Sequence, residues 1–322
     1  MKVVHLAHPH SLNIKELPNT VVALGYFDGV HLGHRKVIKT AIEKAKEYGY
    51  KSAVMTFYPH PSVILRKSTE HAECITSIHD KEQEISKLGI DILYIVEFSP
   101  TFAELLPQQF VDQYIIGLNV KHVVAGFDYT YGRLGKGTME TLPFHSRKQF
   151  TQTIVDKVVD NDIKISSTLI RDLIKNGEVS RLKYYLCRYY QMVGTVIDGE
   201  KRGRTIGFPT ANIELASNYI LPPTGVYAVK ILVKKNWYNG VLNIGYKPTF
   251  HDKSPEKPSI EIHIFSFNEF IYGEDIVLEW HLRLRAEQKF QSVQELIAQI
   301  ERDKQEALHY FEESRIKNLQ ID

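Results

Sequence analysis

Two histidines three residues apart are the first side chains in the sequence whose spacing suggests chemistry. His31 and His34 lie in the stretch GYFDGVHLGHRKVI, which also contains Gly29 and Gly33. A strand-like apolar run precedes the two histidines and a helix-like run follows, so a helix is predicted to begin near Gly33. The residue types alone are compatible with a metal site, a pair of catalytic bases, a phosphate site or an ordinary turn.

The spacing favours the phosphate site over the others. Residues three apart lie on one face of the first helical turn. The free N–H groups and partial positive charge of a helix N-terminus attract anions. A zinc-binding HExxH motif has its histidines four apart with a glutamate between them, and no cysteine lies near this stretch. We therefore predict that His31 and His34 donate hydrogen bonds to a phosphate.

A second candidate phosphate-binding segment is ISSTLIR, residues 165–171. It begins a predicted helix, so Ser166, Ser167 and Thr168 can cap the helix and offer hydroxyl groups to phosphate oxygens. Arg171 can pair with phosphate in a bidentate manner. Alone, the segment is typical of a routine helix start. Together with the histidine motif, it predicts a second set of phosphate-binding groups.

The C-terminal half contains a different kind of candidate site. In GTVIDGEKRGRTIGFPTANI, residues 194–213, glycines flank a basic turn, and backbone N–H groups with arginines suit phosphates. The segment lacks the GxxxxGK[ST] pattern of a P-loop. Further along, Glu261 alternates with Ile260 and Ile262, so it is predicted to face away from the apolar layer. On pattern alone, a simple hairpin turn and a polar residue on a half-exposed strand are the favoured explanations of these two features.

The candidate site residues of the N-terminal half lie among alternating strand-like and helix-like runs. Strand-like runs occupy 21–27, 52–57, 91–98 and 121–127. Helical patterns occupy Val37 to Ala45, 79–89 and 102–118, the last interrupted or restarted at Pro107. This alternation favours a mainly parallel sheet covered on both faces, with ligands beyond the carboxyl ends of the strands.

The pattern changes near residue 190, where several strand-like runs follow one another without intervening helices. Such a series favours an antiparallel barrel or sandwich. A closing helix is predicted at about 292–313, with Ser292 as N-cap. Its predicted apolar face consists of Val293, Leu296, Ile297 and Ile300. Residues 167–187 read as two short helices broken at Asn176–Gly177, so we predict domains at 1–187 and 188–322.

The quoted motifs resemble those of one known family. GYFDGVHLGHRKVI and ISSTLIR resemble the two signatures of the HxGH nucleotidyltransferase superfamily, and FDGVHLGH resembles the adenylyltransferase half of bacterial bifunctional riboflavin kinase/FAD synthetases. Pro209–Asn212 resembles the PTAN motif of their riboflavin kinase half. The resemblance covers about residues 15–310. It implies a Rossmann-like α/β domain, followed by a mainly antiparallel β-barrel with a C-terminal helix.

For the first domain, the resemblance implies adenylyl transfer from ATP to FMN, giving FAD and pyrophosphate. His31, His34 and Arg171 would hold the triphosphate and stabilise the developing charge. The implied ATP-binding residues are Gly25, Phe27, Asp28, Gly33, Ser166, Ser167 and Thr168. The implied flavin-binding residues are Phe57, Pro59, Pro61, Phe127, Asp128 and Tyr129. The chain departs from the family pattern on the flavin side, at Tyr58, Ser77 and His79.

For the second domain, the resemblance implies phosphorylation of riboflavin to FMN. Glu261 would be the general base toward the riboflavin 5′-hydroxyl. Arg283 and Arg285 would lie in a loop that closes over the flavin. The implied ATP-binding residues are Gly203, Arg204, Gly207, Thr210 and Asn212, of which Thr210 and Asn212 would also bind Mg²⁺.

Composition restricts the classes of partner. The chain has 322 residues and a net charge of +2, with 40 basic and 38 acidic residues, which does not suggest a nucleic-acid or polybasic membrane protein. Two cysteines and no signal-peptide pattern favour the cytoplasm. The expected partners are ATP, riboflavin and FMN, without nucleic acid or membrane, and the expected state is a monomer or weak homo-oligomer.

Two alternatives remain open at the level of sequence. One is a monofunctional enzyme that has lost one of the two activities. The other is a regulator that senses flavin or nucleotide without turnover, although no basic stripe or RNA-binding motif supports RNA binding.

Overall fold

The computed structural model describes residues 1–65, 73–199, 203, 206–246 and 258–319. The chain divides into two compact units, Met1–Leu169 and Ile170–Asp322. This division falls earlier than the predicted 187/188 boundary, because helix Val179–Leu186 packs against strands Tyr190–Ile197 and Asp275–Ala286 of the second unit.

The first unit is built on a six-stranded parallel sheet. Its strands are β1 (Lys2–Leu6), β2 (Thr20–Leu24), β3 (Lys51–Tyr58), β4 (Ile92–Glu97), β5 (Val120–Gly126) and β8 (Thr151–Val155), in the order β1-β4-β3-β2-β5-β8. The four central strands confirm the prediction. Because these strands are covered on both faces, their sequences are apolar runs. The edge strands β1 and β8 were not predicted, since each buries a single residue.

Helices and two short strand pairs surround this sheet. The helices are α1 (Leu32–Tyr48), α2 (Pro61–Leu65), α3 (Ile78–Ser86), α4 (Pro100–Ala103), α5 (Pro107–Phe110) and α6 (Leu142–Ser146). The strand pairs are β6 (Thr130–Tyr131) with β7 (Gly137–Thr138), and β9 (Val159–Asp160) with β10 (Ile163–Lys164). The restart predicted at Pro107 within the helical stretch 102–118 is confirmed. Pro107 begins a new helix, which continues as a π-helix over Val111–Ile116.

Alternate residues of the central strands supply two separate hydrophobic cores. Val22 and Leu24 of β2 pack on one face of the sheet with aromatic residues such as Tyr114. Val21 and Ala23 pack on the other face against α1. The sheet is therefore covered on both faces, so the carboxyl ends of its central strands remain available to form a site.

The second unit is a closed antiparallel barrel. Its strands are β11 (Tyr190–Ile197), β12 (Ala211–Leu215), β13 (Gly225–Val233), β14 (Asn236–Gly245), β15 (Ser259–Ile264) and β16 (Asp275–Ala286), in the order β11-β12-β15-β14-β13-β16. Helices α7 (Ser167–Lys175) and α8 (Val179–Leu186) precede the barrel in the chain, and α9 (Val293–Leu319) follows it. The prediction of an antiparallel barrel with a closing helix is confirmed.

Helix α9 corrects one part of that prediction. Ser292 caps the helix as expected, since its Oγ accepts the Glu295 N–H at 3.2 Å. The predicted apolar face is wrong, because Val293 is 54% exposed and the other three residues are only half-buried. The buried side chains lie further along the helix, at Asp303, Ala307 and Phe311. Ala307 and Phe311 pack against Ala228 and Phe265 of the barrel region. The second half of α9 therefore attaches this helix to the barrel.

Candidate functional site

The turn between β2 and α1 has an unusual backbone. Phe27 (φ 55°), Gly29 (φ 86°) and Val30 (φ 45°) all adopt positive φ values. Such values are unfavourable for residues with a Cβ, so surrounding contacts must hold Phe27 and Val30 in place. The buried Phe27 ring lies over Gly25, where an added Cβ would come within 2.8 Å of the ring. Gly25 is therefore needed for this turn to form.

Asp28 anchors the same turn to the loop before α3. Its carboxylate accepts the N–H groups of Ile75 at 3.0 Å and Thr76 at 3.1 Å. The Ser167 hydroxyl donates to the Asp28 carbonyl oxygen at 3.0 Å. The Asp28 side chain is 2% exposed and is not among the residues that line the neighbouring cavity. Asp28 therefore shapes the turn, and its predicted contact with ATP stays a prediction.

The two histidines form a stacked pair at the start of α1. Their ring centroids are 3.6 Å apart and the planes differ by 19°. His31 caps the helix, since its Nδ1 accepts the His34 N–H at 3.3 Å. Because Nδ1 accepts, the proton of neutral His31 lies on Nε2, which is a donor. An added Cβ at Gly33 would come within 3.1 Å of the His31 ring, so glycine gives that ring its place.

Both histidines are neutral near pH 7. Burial lowers the pKa of His31 to about 4. Burial, followed by the charge of His31, lowers the pKa of His34 well below its usual value. The buried Nδ1 of His34 has no hydrogen-bond partner among the described residues. The pair therefore presents hydrogen-bonding groups without charge, and an unused buried polar atom points to a ligand.

A cavity of about 520 Å³ lies beside this pair, within the usual range for small-molecule sites. Twelve of the residues predicted for the first site line it. They are Gly25, Phe27, His31, Gly33, His34, Phe57, Pro61, Phe127, Asp128, Tyr129, Ser166 and Ser167. Pro59 and Thr168 are not among the lining residues, and Arg171 belongs to the second unit. The structure thus brings together two sequence segments that are far apart in the chain.

Sequence reasoning missed several groups around this cavity. Lys164 forms an ion pair with Asp128, and its Nζ lies 4.8 Å from the centroid of the Phe127 ring. An aromatic wall is formed by Phe98, Phe102 and Phe110. The signal for Lys164 was its position two residues before Ser166. The aromatic wall gave no separate signal, because its residues read as ordinary helix and strand core.

The second candidate site lies on the outer face of the barrel. Glu261 of β15 pairs in register with Asn212 of β12 on one side and Asn243 of β14 on the other. Directly paired residues point to the same face of a sheet. The neighbouring Ile260 and Ile262 are buried, so Glu261 faces away from the apolar interior, as its alternation predicted.

In the segment before β12, glycines lie close to side chains that contain oxygen atoms. The buried Asn212 amide lies against Gly199, where an added Cβ would be 2.0 Å from the side-chain nitrogen. Gly203 accepts the Phe208 N–H at 2.9 Å, and an added Cβ at Gly203 would lie 3.3 Å from the Thr210 hydroxyl. Sequence reasoning missed the role of Gly199. Arg204 lies outside the described residues, while Gly207 has a φ of 89° in this turn.

The two predicted flavin-loop arginines have different surroundings. Arg285 donates from Nε to one Asp303 oxygen at 2.9 Å and from Nη2 to the other at 2.8 Å. That carboxylate is 3% exposed, so Arg285 is tied to α9. Arg283 donates to the Thr224 carbonyl oxygen at 3.1 Å, and its buried Nε has no partner in the described part of the chain. Of the two, Arg283 keeps an unused donor.

Comparison with known proteins accounts for both halves of the chain. Residues 13–169 match the FAD synthetase family model, and residues 186–311 match the riboflavin kinase family model. The bifunctional riboflavin kinase/FMN adenylyltransferase of Bacillus subtilis (strain 168) is 54% identical over 98% of this chain and 100% of its own length. This chain belongs to the bifunctional riboflavin kinase/FMN adenylyltransferase family. The Listeria monocytogenes member is 47% identical over 97% of this chain and 98% of its own.

One solved structure is also similar to this chain over nearly its whole length. The crystal structure of a Streptococcus pneumoniae protein, named there as a macrolide-efflux protein, matches with a TM-score of 0.85 and 34% identity. The match covers 95% of this chain and 98% of that one. In the described part of this chain, no helix combines the length and apolar character needed to cross a bilayer.

The neutral histidine pair predicts a pH-dependent stability for the first unit. The unfolded chain protonates His31 near pH 6.5, whereas the folded state does so only near pH 4. The stability contributed by neutral His31 is therefore complete above pH 6.5 and is lost as the pH falls toward 4. Between pH 6.5 and pH 5 the expected loss from this residue is about 2 kcal/mol.

The His31→Asn variant provides the test, because asparagine caps a helix but does not titrate in this range. We expect its urea-unfolding free energy, followed by circular dichroism, to fall less steeply between pH 7 and pH 5 than that of the wild type. An equally steep fall in both proteins would contradict the assignment.

Proposed function

We propose that this chain catalyses two consecutive ATP-dependent reactions. The second unit phosphorylates riboflavin to FMN, and the first unit transfers the adenylyl group of ATP to FMN, giving FAD and pyrophosphate. The observation that carries the proposal is the cavity where the stacked His31–His34 pair meets Ser166 and Ser167. It occurs in a chain whose Bacillus subtilis relative, 54% identical over nearly the whole length, is named as having both activities.

Adenylyl transfer in the first unit requires positioning rather than a protein nucleophile. A phosphate oxygen of FMN attacks the α-phosphorus of ATP, a new P–O bond forms, and pyrophosphate leaves with the electrons of the broken bond. Catalysis then consists of holding the phosphates in line and stabilising the charge that develops. The Nε2–H of His31 and the first N–H groups of α1 are suited to this, with Arg171 as a proposed further contact.

Phosphorylation in the second unit requires a base at the riboflavin 5′-hydroxyl. The Glu261 carboxylate would accept the proton as the hydroxyl oxygen attacks the γ-phosphorus of ATP and ADP leaves. Asn212, in register with Glu261, places an amide beside that carboxylate. Arg283, with its unused Nε donor, remains a proposed contact with the flavin.

The residues present fit a magnesium ion in the second unit. Thr210 and Asn212 offer oxygen atoms, which a hard cation prefers. No group of three or more His, Cys, Asp or Glu side chains able to hold a metal occurs among the described residues. Thr210 and Asn212 would therefore hold Mg²⁺ together with nucleotide phosphates and water, as is usual for this ion. The bound ion would neutralise phosphate charge.

The remaining expectations follow from the same proposal. ATP, riboflavin and FMN are small molecules, so no nucleic acid or membrane is required as partner. The net charge of +2 supports this. We propose a cytoplasmic monomer or weak homo-oligomer.

A product assay tests the proposal. The protein is incubated with riboflavin, ATP and MgCl₂, and the flavins are separated by chromatography over time. We expect FMN to appear first and FAD to follow, and FMN supplied directly to give FAD and pyrophosphate. FMN without FAD, under both oxidising and reducing conditions, would indicate a monofunctional kinase. Tight binding of flavin without any product would indicate a sensor.

Lys81 contacts the start of the turn that forms part of the first site. Its ammonium donates to the Tyr26 carbonyl oxygen at 2.8 Å and lies 3.9 Å from the Tyr26 ring centroid. The side chain is 2% exposed, and burial lowers its pKa to about 8. Tyr26 immediately precedes the strained Phe27, so this contact holds the start of the turn.

We therefore expect Lys81→Met to reduce FAD formation from FMN by about tenfold or more, since a buried carbonyl oxygen loses a charged donor. FMN formation from riboflavin should be unchanged. Lys87→Met, which removes an exposed lysine paired with Glu84 near the end of the same helix, is the matched control. Normal FAD formation by Lys81→Met would show that the turn does not need this contact.

A further inference from the structure

The cavity beside His31 and His34 lacks net positive charge. Its charged lining side chains are Asp128, Asp156, Lys157 and Lys164, so their formal charges cancel. The two histidines add none, because burial holds both pKa values low. The phosphates of ATP and FMN carry several negative charges between them. A lining cation in direct contact would supply charge compensation to a bound phosphate that these neutral donors do not.

Lys164 is the lining cation best placed for that contact. It ends β10, two residues before Ser166, and its charge is among the causes that lower the pKa of both His31 and His34. Lys157 is not among those causes. Lys164 therefore lies within electrostatic reach of both imidazole rings, where the phosphates are proposed to bind.

The partner of Lys164 in this structure can be replaced or shared. Lys164 and Asp128 form an ion pair in which the side chains are 40% and 57% exposed. Such an exposed ion pair contributes little to stability. An ammonium group has three N–H donors, so it can keep Asp128 and also donate to a phosphate oxygen. An unpaired Asp128 carboxylate would repel a phosphate. A carboxylate that is paired with Lys164 can instead position the ammonium group.

We propose that Lys164 contacts a substrate phosphate in the adenylyl-transfer site and that Asp128 positions its ammonium group for this contact. The inference rests on the proposed function of the first unit and adds a residue that neither histidine motif nor ISSTLIR contains. The phosphate belongs either to FMN or to the ATP polyphosphate, and the two sources are separated by measuring KM for each substrate.

The first arm of the test compares single variants in FAD formation from FMN and ATP. Lys164→Met should raise KM for at least one substrate by about tenfold, because a charged hydrogen bond is lost. Lys164→Arg, which retains the positive charge, should raise KM less than Lys164→Met. Lys51→Met is the matched control, since Lys51 forms an exposed ion pair with Asp91 at 3.0 Å and is absent from the cavity lining. Unchanged KM values in Lys164→Met would overturn the proposal.

The second arm asks whether Lys164 merely shields the substrate from Asp128. If it does, the double variant Lys164→Met/Asp128→Asn recovers the wild-type KM, because the unpaired carboxylate is gone. Our proposal expects the double variant to remain about as impaired as Lys164→Met. Recovery would overturn the proposal, and circular dichroism on each variant checks that the fold is retained.

A third arm separates this proposal from the proposed function. Binding of inorganic pyrophosphate and of FMN is measured by calorimetry on the wild type and on Lys164→Met, without turnover. We expect weaker binding of at least one probe to Lys164→Met. A wild type that forms no FAD would refute the proposed function while leaving this comparison intact. Unchanged binding of both probes would refute the role of Lys164.

Discussion

Replacing His31 with alanine is expected to reduce FAD formation from FMN by about a hundredfold to a thousandfold, while riboflavin phosphorylation continues at the wild-type rate. The variant removes the Nε2 donor of a cavity-lining residue, together with the ring whose centroid lies 3.6 Å from that of His34. A donor aimed at developing charge in a dry site typically has an effect of this size. Arg171→Ala is expected to act in the same direction.

His31→Ala also removes the cap of α1, so a second variant must separate stability from chemistry. His31→Asn retains an acceptor for the His34 N–H, which His31 Nδ1 now accepts at 3.3 Å. If both variants lose FAD formation while His31→Asn keeps the stability of the wild type, the loss belongs to phosphate binding. If His31→Asn restores FAD formation fully, the imidazole is only a cap and our assignment is wrong.

Replacing Glu261 with glutamine is expected to have the opposite effect. Riboflavin phosphorylation should fall by about a hundredfold to ten-thousandfold, the usual range for loss of a general base. FAD formation from supplied FMN should not change. Glutamine keeps the size of the side chain and its place between Asn212 and Asn243, but it cannot accept the proton of the 5′-hydroxyl at neutral pH.

A matched control addresses the loss of negative charge on the same unit. Glu269 pairs with Lys234 at 3.2 Å and is exposed, so Glu269→Gln should leave both activities unchanged. Steady-state rates of FMN and FAD formation, measured separately, make the comparison. Unimpaired kinase turnover in Glu261→Gln would exclude this carboxylate as the base.

The parts of the fold that the sequence predicted are those with strong burial patterns. Strands β2 to β5 were predicted because both of their faces are covered. The barrel was predicted because several strand-like runs follow one another without intervening helices. Strands β1 and β8 were missed because they lie at the sheet edges, where one-sided burial weakens the pattern. The buried face of α9 was misplaced because its position depends on where the barrel surface meets the helix.

In the candidate sites, features that depend on the local sequence were predicted, whereas contacts between residues far apart in the chain were not. His31, Ser166 and Ser167 could be placed at a phosphate site because they lie at predicted helix starts. The contact of Lys81 with Tyr26 joins residues 55 positions apart, and that of Asp28 with Thr76 joins residues 48 apart. No local pattern in a single sequence specifies such pairs. The ion pair between Arg285 and Asp303 was hidden for the same reason.

A mixing experiment tests most directly the claim that one chain contains two separable sites working in sequence. His31→Ala and Glu261→Gln are each incubated with riboflavin, ATP and MgCl₂, alone and together, and FAD is measured. We predict that His31→Ala alone stops at FMN, that Glu261→Gln alone forms almost no flavin product, and that the mixture forms FAD. A mixture that forms no more FAD than either variant alone would contradict the account.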